Sequence, residues 1–139
     1  MKMKFLVLNK TQVMNIHPSI PYIVISITCP NQKDIPINKY DECKGILRLS
    51  FDDVDSEVID TIKFDSNMAD LVRNFVTTHM FNIELIICQC CAGISRSAGM
   101  AAALSKVING EDVDFFKNSF FIPNMLVYSK VLNSFKNME

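Results

Sequence analysis

The chain is poor in arginine. Its 139 residues carry three, Arg48, Arg73 and Arg96, and no run of basic residues breaks a formal net charge of -1. A nucleic-acid partner usually meets a basic stripe, so none is expected. Long apolar runs are also missing. The start "MKMKFLVLNK" sets two lysines before an apolar run that ends at Leu8, too short for a secretory signal and without a small-residue cleavage site. No segment reaches the roughly 20 apolar residues of a membrane span, so a cytoplasmic chain with no membrane partner is expected. Histidine is scarce. His17 and His79 stand apart, and the Cys-x-Cys-Cys cluster at Cys88, Cys90 and Cys91 has no second cysteine pair or histidine pair to complete it, which argues against an ordinary zinc site. The five cysteines are odd in number and unevenly spaced, so they read as free thiols in a reducing compartment rather than as a disulfide framework. Repeats, low-complexity tracts and linkers are absent, leaving one domain, 1–139, large enough for its own core.

What is present is an ordinary globular balance, 49% apolar and 21% charged. "KFLVLN", "PYIVISIT" and "GILRLSF" read as early strands; the last alternates Ile46, Arg48 and Ser50 with Leu47, Leu49 and Phe51. "NQKDIPINKYDECKG" is a polar loop. "DDVDSEVIDTIKFDS" is an acidic loop with a short turn of helix. "NMADLVRNFVTTHM" follows Asp65 or Ser66 as N-cap and carries Met68, Leu71, Val72, Phe75 and Val76 at helical spacing. "IELIIC" suits a strand buried on both faces. "RSAGMAAALSKVIN" is a helix that stops at Asn109-Gly110. Its alanines suit close packing on a sheet. "DVDFFKNS" is a short helix or turn. "IPNMLVYSKVLNSF" is a last helix with Pro123 near its first turn and Met125, Tyr128, Leu132 and Phe135 on one face. The eight methionines read as core filling. The fold class is α/β, a central, mostly parallel sheet flanked by helices.

One stretch, "IICQCCAGISRSAGMAAAL", holds Cys88, Cys90 and Cys91 within four positions. A buried strand runs into it and a helix leaves it. A turn between a strand's carboxyl end and a helix's amino end gathers backbone N–H groups, and the helix dipole adds positive potential. That is a good site for an anion such as phosphate, and suits a phosphate-binding loop. Gly93 lets the backbone come close to the ligand, and Arg96 offers a planar fork to two phosphate oxygens. Cys90 opens the turn, where the same field favours a thiolate placed for in-line attack on phosphorus. Ser97 is positioned to donate to that sulfur when it leaves. Cys88, inside the apolar strand, reads as core.

Cys90-Cys91-Ala92-Gly93-Ile94-Ser95-Arg96-Ser97 resembles the Cys-x5-Arg-Ser/Thr signature loop of cysteine-based protein tyrosine phosphatases, in their small dual-specificity-like branch. "LRLSFDDVD" resembles the segment that carries that branch's general acid, and "FFIPNMLVY" the family's Pro-Asn helix start. The match spans roughly the last two-thirds of the chain. The resemblance implies the (phosphotyrosine protein phosphatase)-like fold. It also implies Cys90 as nucleophile, Arg96 as phosphoryl clamp, and N–H groups of residues 91 to 96 on the equatorial oxygens. Asp53 would be the general acid, with Asp52 as the other candidate; Asp55 and Asp60 read as solvated. The family's histidine before the nucleophile is here Gln89. Cys91, Ala92, Ile94 and Ser95 bring no positive charge, which favours a singly phosphorylated residue over a phosphoinositide.

The function implied is metal-independent, cofactor-free hydrolysis of phosphotyrosine, with phosphoserine and phosphothreonine also admitted, by a monomer acting on phosphorylated protein or peptide. The alternative is a weak or inactive phosphopeptide-binding module, in which Gln89 marks lost chemistry. A rhodanese-like sulfurtransferase and an RNA 5′-phosphatase rank below both. A redox role for Cys91, Cys88 or Cys43, trapping oxidised Cys90 as a disulfide, is a further expectation.

Overall fold

In a computed structural model that describes residues 2–137, the apolar runs become four strands. They are β1 (Lys4–Leu8), β2 (Tyr22–Thr28), β3 (Cys43–Ser50) and β4 (Leu85–Gln89). All pair in parallel, in the order β1-β4-β2-β3. The expected mostly parallel sheet is therefore wholly parallel. Five helices join them: α1 (Lys10–Asn15), α2 (Ser66–His79), α3 (Arg96–Asn109), α4 (Val113–Lys117) and α5 (Met125–Lys136). Met1, Met138 and Glu139 of the expected 1–139 domain lie outside the described residues.

β2 and β4 are central and buried along their whole length, which is why both read as continuous apolar runs. Their side chains alternate between two apolar layers. Ile23, Ile25, Ile27, Ile86 and Cys88 face α2, α3 and α5, meeting Val72, Val76, Ala101, Leu104 and Val131. Tyr22, Val24, Leu85 and Ile87 face the other way, against Val13 of α1 and Ile16, Ile20, Ile35 and Ile37 of the connecting loops. Each large side chain so buried contributes roughly 1.5–3 kcal/mol. Burial pushes the Tyr22 hydroxyl, beside the Cys43 thiol, up to about 12. The sheet thus has one helical cover and one cover made mostly of loop.

Helix ends follow the sequence closely. The Asp65 carboxylate accepts from the Met68 N–H at 2.9 Å and starts α2. Gly110 adopts φ 82° and ends α3, where its N–H reaches the Lys106 carbonyl. The Asn124 side chain accepts from the Leu126 and Val127 N–H groups at 3.0 and 3.1 Å and starts α5.

Four expectations are corrected. α1 was not expected; an Asn9–Gln12 capping box starts it, and Val13 is the residue it buries. The acidic stretch from Asp52 to Asp65 forms no helix. Its base is closed instead by Asp52 and Ile62, through Asp52 N–H to Ile62 O and Ile62 N–H to the Asp52 carboxylate, both 2.7 Å. On α5 the buried line is Val127, Val131 and Phe135, with Met125 exposed; on α2 it is Ala69, Val72 and Val76, with Leu71 exposed. The methionines are not uniformly core. Met100 is buried, Met14 and Met125 are exposed, and Met1 and Met138 lie outside the described residues.

Candidate active site

The loop between β4 and α3 lies at the carboxyl ends of the parallel strands, where open α/β sheets gather their ligands. It is tied on two sides. Toward β1, the Cys90 N–H donates to the Leu8 carbonyl and the Lys10 N–H donates to the Cys91 carbonyl, both at 3.3 Å. Gly93, at φ 69°, presses so close to that turn that an added Cβ would sit 2.8 Å from the Asn9 nitrogen. Toward α5, the Ile122 and Asn124 N–H groups donate to the Ile94 and Ser95 carbonyls, both at 3.0 Å. The loop's carbonyls are thus used outward. Its successive N–H groups, from Cys91 to Arg96, donate to no protein acceptor among the described residues. Free N–H groups at a helix amino end form an anion cradle.

The Cys90 sulfur lies 3.0 Å from the Ser97 hydroxyl, and both residues are buried. The Arg96 guanidinium is held from behind: one nitrogen donates to the Phe51 carbonyl at 2.8 Å and lies 3.3 Å from the Cys29 sulfur. Arg96 is 5% exposed. A buried guanidinium anchored at one nitrogen keeps the rest of its fork preorganised for an oxyanion. Cys29 went unnoticed in the sequence. The available signal was its position, just past the end of a buried parallel strand and before Pro30.

The two aspartates have separate surroundings. Asp52 holds the base of its loop, as described above. One Asp53 carboxylate oxygen accepts from the Ser95 hydroxyl at 2.9 Å and from the Asn124 amide at 2.9 Å. The same Asn124 amide donates to the Val54 carbonyl at 3.1 Å. Asn124 therefore caps α5 with its oxygen and holds the acidic loop with its nitrogen. Its own carbonyl sits where a Cβ on Gly99 would come within 2.5 Å, so α3 needs glycine there. Asp55 lies beside the site, and Asp60 stands in the exposed loop at φ 62°.

These residues enclose a cavity of about 320 Å³ lined by Asp53, Cys90, Cys91, Ala92, Ile94, Ser95, Arg96 and Ile122. Gly93 lies beneath the loop and Ser97 behind the cysteine, outside this lining. Arg96 is the one cation and Asp53 the one carboxylate of the wall. Like Cys29, Ile122 and Asn124 are site components that sequence reasoning missed, although the segment that resembles the Pro-Asn helix start contains both.

Beneath the loop, Gln89 is wholly buried. Its side-chain oxygen accepts from the Ser26 hydroxyl at 2.5 Å. Its Nε2 is the one buried side-chain polar atom without a partner among the described residues. Cys88 is buried on the same face as Cys90; burial, and then the neighbouring Cys90, push its thiol far up. Cys43 starts β3, paired with Tyr22 at the amino end of the sheet, and so lies away from Cys90. That position removes Cys43 as a redox partner. No three His, Cys, Asp or Glu side chains are grouped so as to hold a metal ion among the described residues. No described helix is long and apolar enough to cross a membrane.

Similarity to known proteins is confined to three dimensions, since no family model and no curated protein sequence matches the chain. Solved structures do match. One is a human tyrosine phosphatase-like serine/threonine/tyrosine-interacting protein, 20% identical, with a TM-score of 0.54 over 85% of this chain and 78% of that one. Another is a mouse protein described as a dual specificity phosphatase, solved with zinc tungstate. It is 14% identical, with a TM-score of 0.51 over 84% of this chain and 71% of that one. The chain has the fold of the small dual-specificity branch of the cysteine-based phosphatases, as its signature loop implied.

Proposed function

We propose that this protein hydrolyses phosphomonoesters in phosphorylated proteins, phosphotyrosine first and phosphoserine or phosphothreonine also, through a cysteinyl-phosphate intermediate. The observation that carries the reading is that Cys90 and Arg96 line one cavity, on a loop whose N–H groups from Cys91 to Arg96 have no protein acceptor among the described residues. In the first step the Cys90 sulfur attacks phosphorus as the bond to the leaving oxygen breaks, and Asp53 gives that oxygen its proton. In the second, water attacks the phosphoryl group and Asp53 takes a proton from it. The sulfur–phosphorus bond breaks, with the Ser97 hydroxyl donating to the departing sulfur. Arg96 and the loop N–H groups hold the three non-bridging oxygens throughout, the preorganised electrostatics on which phosphoryl transfer rests. Every group these steps require is supplied by the chain, as a cytoplasmic monomer free of metal and cofactor. The uncharged residues around the cavity favour one phosphate over several.

A second reading, phosphopeptide binding without turnover, has one observation in its favour. Gln89 stands under the loop, its amide nitrogen unpartnered among the described residues, where the family has an ionisable histidine. The test is hydrolysis of para-nitrophenyl phosphate by wild type, Cys90→Ser and Cys91→Ser, with dithiothreitol and EDTA present. The hydrolase reading expects turnover lost in Cys90→Ser and kept in Cys91→Ser. No wild-type turnover, with tight phosphopeptide binding, supports the second reading.

A further inference from the structure

Beside the cavity runs a second groove, about 440 Å³, between the acidic loop and the start of α5. Asp53, Ser95 and Ile122 line both spaces, so the hydrogen bond from Ser95 to Asp53 is the partition between them. The far side carries Val58 and Met125, each about half exposed, at 48% and 47%, and the shared Ile122 is 70% exposed. Large apolar side chains gathered around one concavity mark a surface that meets a partner. The charge of the groove has one sign: Asp53 and Asp55 contribute carboxylates, and no lysine or arginine lines it.

We propose that this groove is a substrate subsite that takes a large apolar side chain, adjacent in sequence to the phosphorylated residue of a polypeptide. The inference rests on the phosphorylated residue occupying the neighbouring cavity. Its occupant follows from continuity. With the phosphorylated side chain in the cavity, its backbone lies at the cavity mouth and the Cα atoms before and after it are ~3.8 Å further along, so a neighbouring side chain can reach the adjoining groove across the partition. Leucine, methionine or phenylalanine there covers Val58 and Met125. Aspartate or glutamate there meets Asp53 and Asp55 and is disfavoured. The selectivity is therefore positive for bulk and negative for acid, and it resides in the acidic loop and α5 rather than in the signature loop.

The experiment measures affinity and turnover on matched phosphotyrosyl peptides that differ only in one flanking residue, leucine, glycine or aspartate, placed on either side. Affinity is read by fluorescence anisotropy on Cys90→Ser, and kcat/KM on the wild type. On one side, leucine is expected to bind about tenfold more tightly than glycine, the scale of a small apolar contact in a pocket, and aspartate more weakly than glycine. Met125→Ser and Val58→Ser, on separate elements, are each expected to bring the leucine-to-glycine ratio close to one. The ratio is taken within each variant, so a general loss of activity does not imitate the effect. A wild-type ratio near one on both sides overturns the subsite, as does a ratio that survives both substitutions. Flank-dependent affinity without turnover overturns the hydrolase and leaves the subsite standing; turnover without flank preference does the reverse.

Discussion

The Ser95 hydroxyl donates to the Asp53 carboxylate at 2.9 Å, across 42 residues of sequence. It joins the loop that holds the sulfur to the loop that holds the acid. Asn124 donates to the same oxygen, so the carboxylate is held by two donors, one from the loop before α3 and one from the start of α5.

Removing either donor should therefore harm proton delivery more than phosphate binding. In Ser95→Ala and Asn124→Ala, kcat on phenyl phosphate should fall about tenfold, while para-nitrophenyl phosphate, whose leaving group needs little protonation, falls less; Asp53→Asn should lose about 10²–10⁴ on the poorer leaving group. Asn124→Ala should also cost about 1 kcal/mol in stability from the lost cap. Equal falls on both substrates would mean that Ser95 and Asn124 support the loop and not the acid.

Gly99→Ala should act on the acid from a distance. The new methyl group meets the Asn124 carbonyl at 2.5 Å, a backbone atom that cannot rotate away. Thermal or urea unfolding should show a loss of about 1–3 kcal/mol, as for other overpacked sites. The remaining folded protein should show the leaving-group signature of Asn124→Ala.

Gln89 offers a test of the buried amide. Its Nε2 lacks a partner among the described residues, and a buried unsatisfied polar group costs about 1–3 kcal/mol. Gln89→Leu alone strands the Ser26 hydroxyl, which now donates to Gln89. The pair Ser26→Ala with Gln89→Leu removes both groups and should be at least as stable as wild type in urea. A double variant much weaker than either single one would show that the amide is satisfied in solution.

Two tyrosines fix an alkaline limit. Burial first, and then the neighbouring Cys43, push Tyr22 up to about 12; burial first, and then the hydrogen bond to Asp112, push Tyr128 up to about 12. In the unfolded chain both ionise near the ordinary value of 10.0. The unfolded state then binds fewer protons, so their stabilising effect is full below pH 10 and is lost as the pH rises toward 12. Ultraviolet titration should find two late phenolates. Tyr128→Phe should flatten the alkaline fall in unfolding midpoint.

Much of this was legible in the sequence where the information is local. Cys90 through Ser97 sit on one turn, so their spacing alone sets sulfur, hydroxyl and guanidinium near one another. The end of α3 was readable because Gly110 is needed for a positive φ. The choice between Asp52 and Asp53 was not readable, because adjacent side chains point apart and only the distant Ser95, Asn124 and Ile62 decide which is aimed at the cavity. The buried lines of α2 and α5 were misjudged for a similar reason. Apolar residues on these helices form two adjacent stripes, and the sheet selects one. α1 is too short for periodicity to register, though its Asn9–Gln12 pair was a usable mark. Asn124 stood in a noticed motif, but its double hold on helix and acid depends on a loop 71 residues earlier.

The ties that fix the signature loop also set a schedule. β1 lies beside the strand that ends at the nucleophile, and the segment from Ile122 to Asn124 clasps the loop's other flank. During synthesis, the cysteine and arginine leave the ribosome before the asparagine that holds the acid. A nascent chain stopped between them has Cys90, Ser95 and Arg96 but lacks the Asn124 amide that also holds Asp53. On the proposed mechanism, full competence therefore arrives late, once α5 can dock.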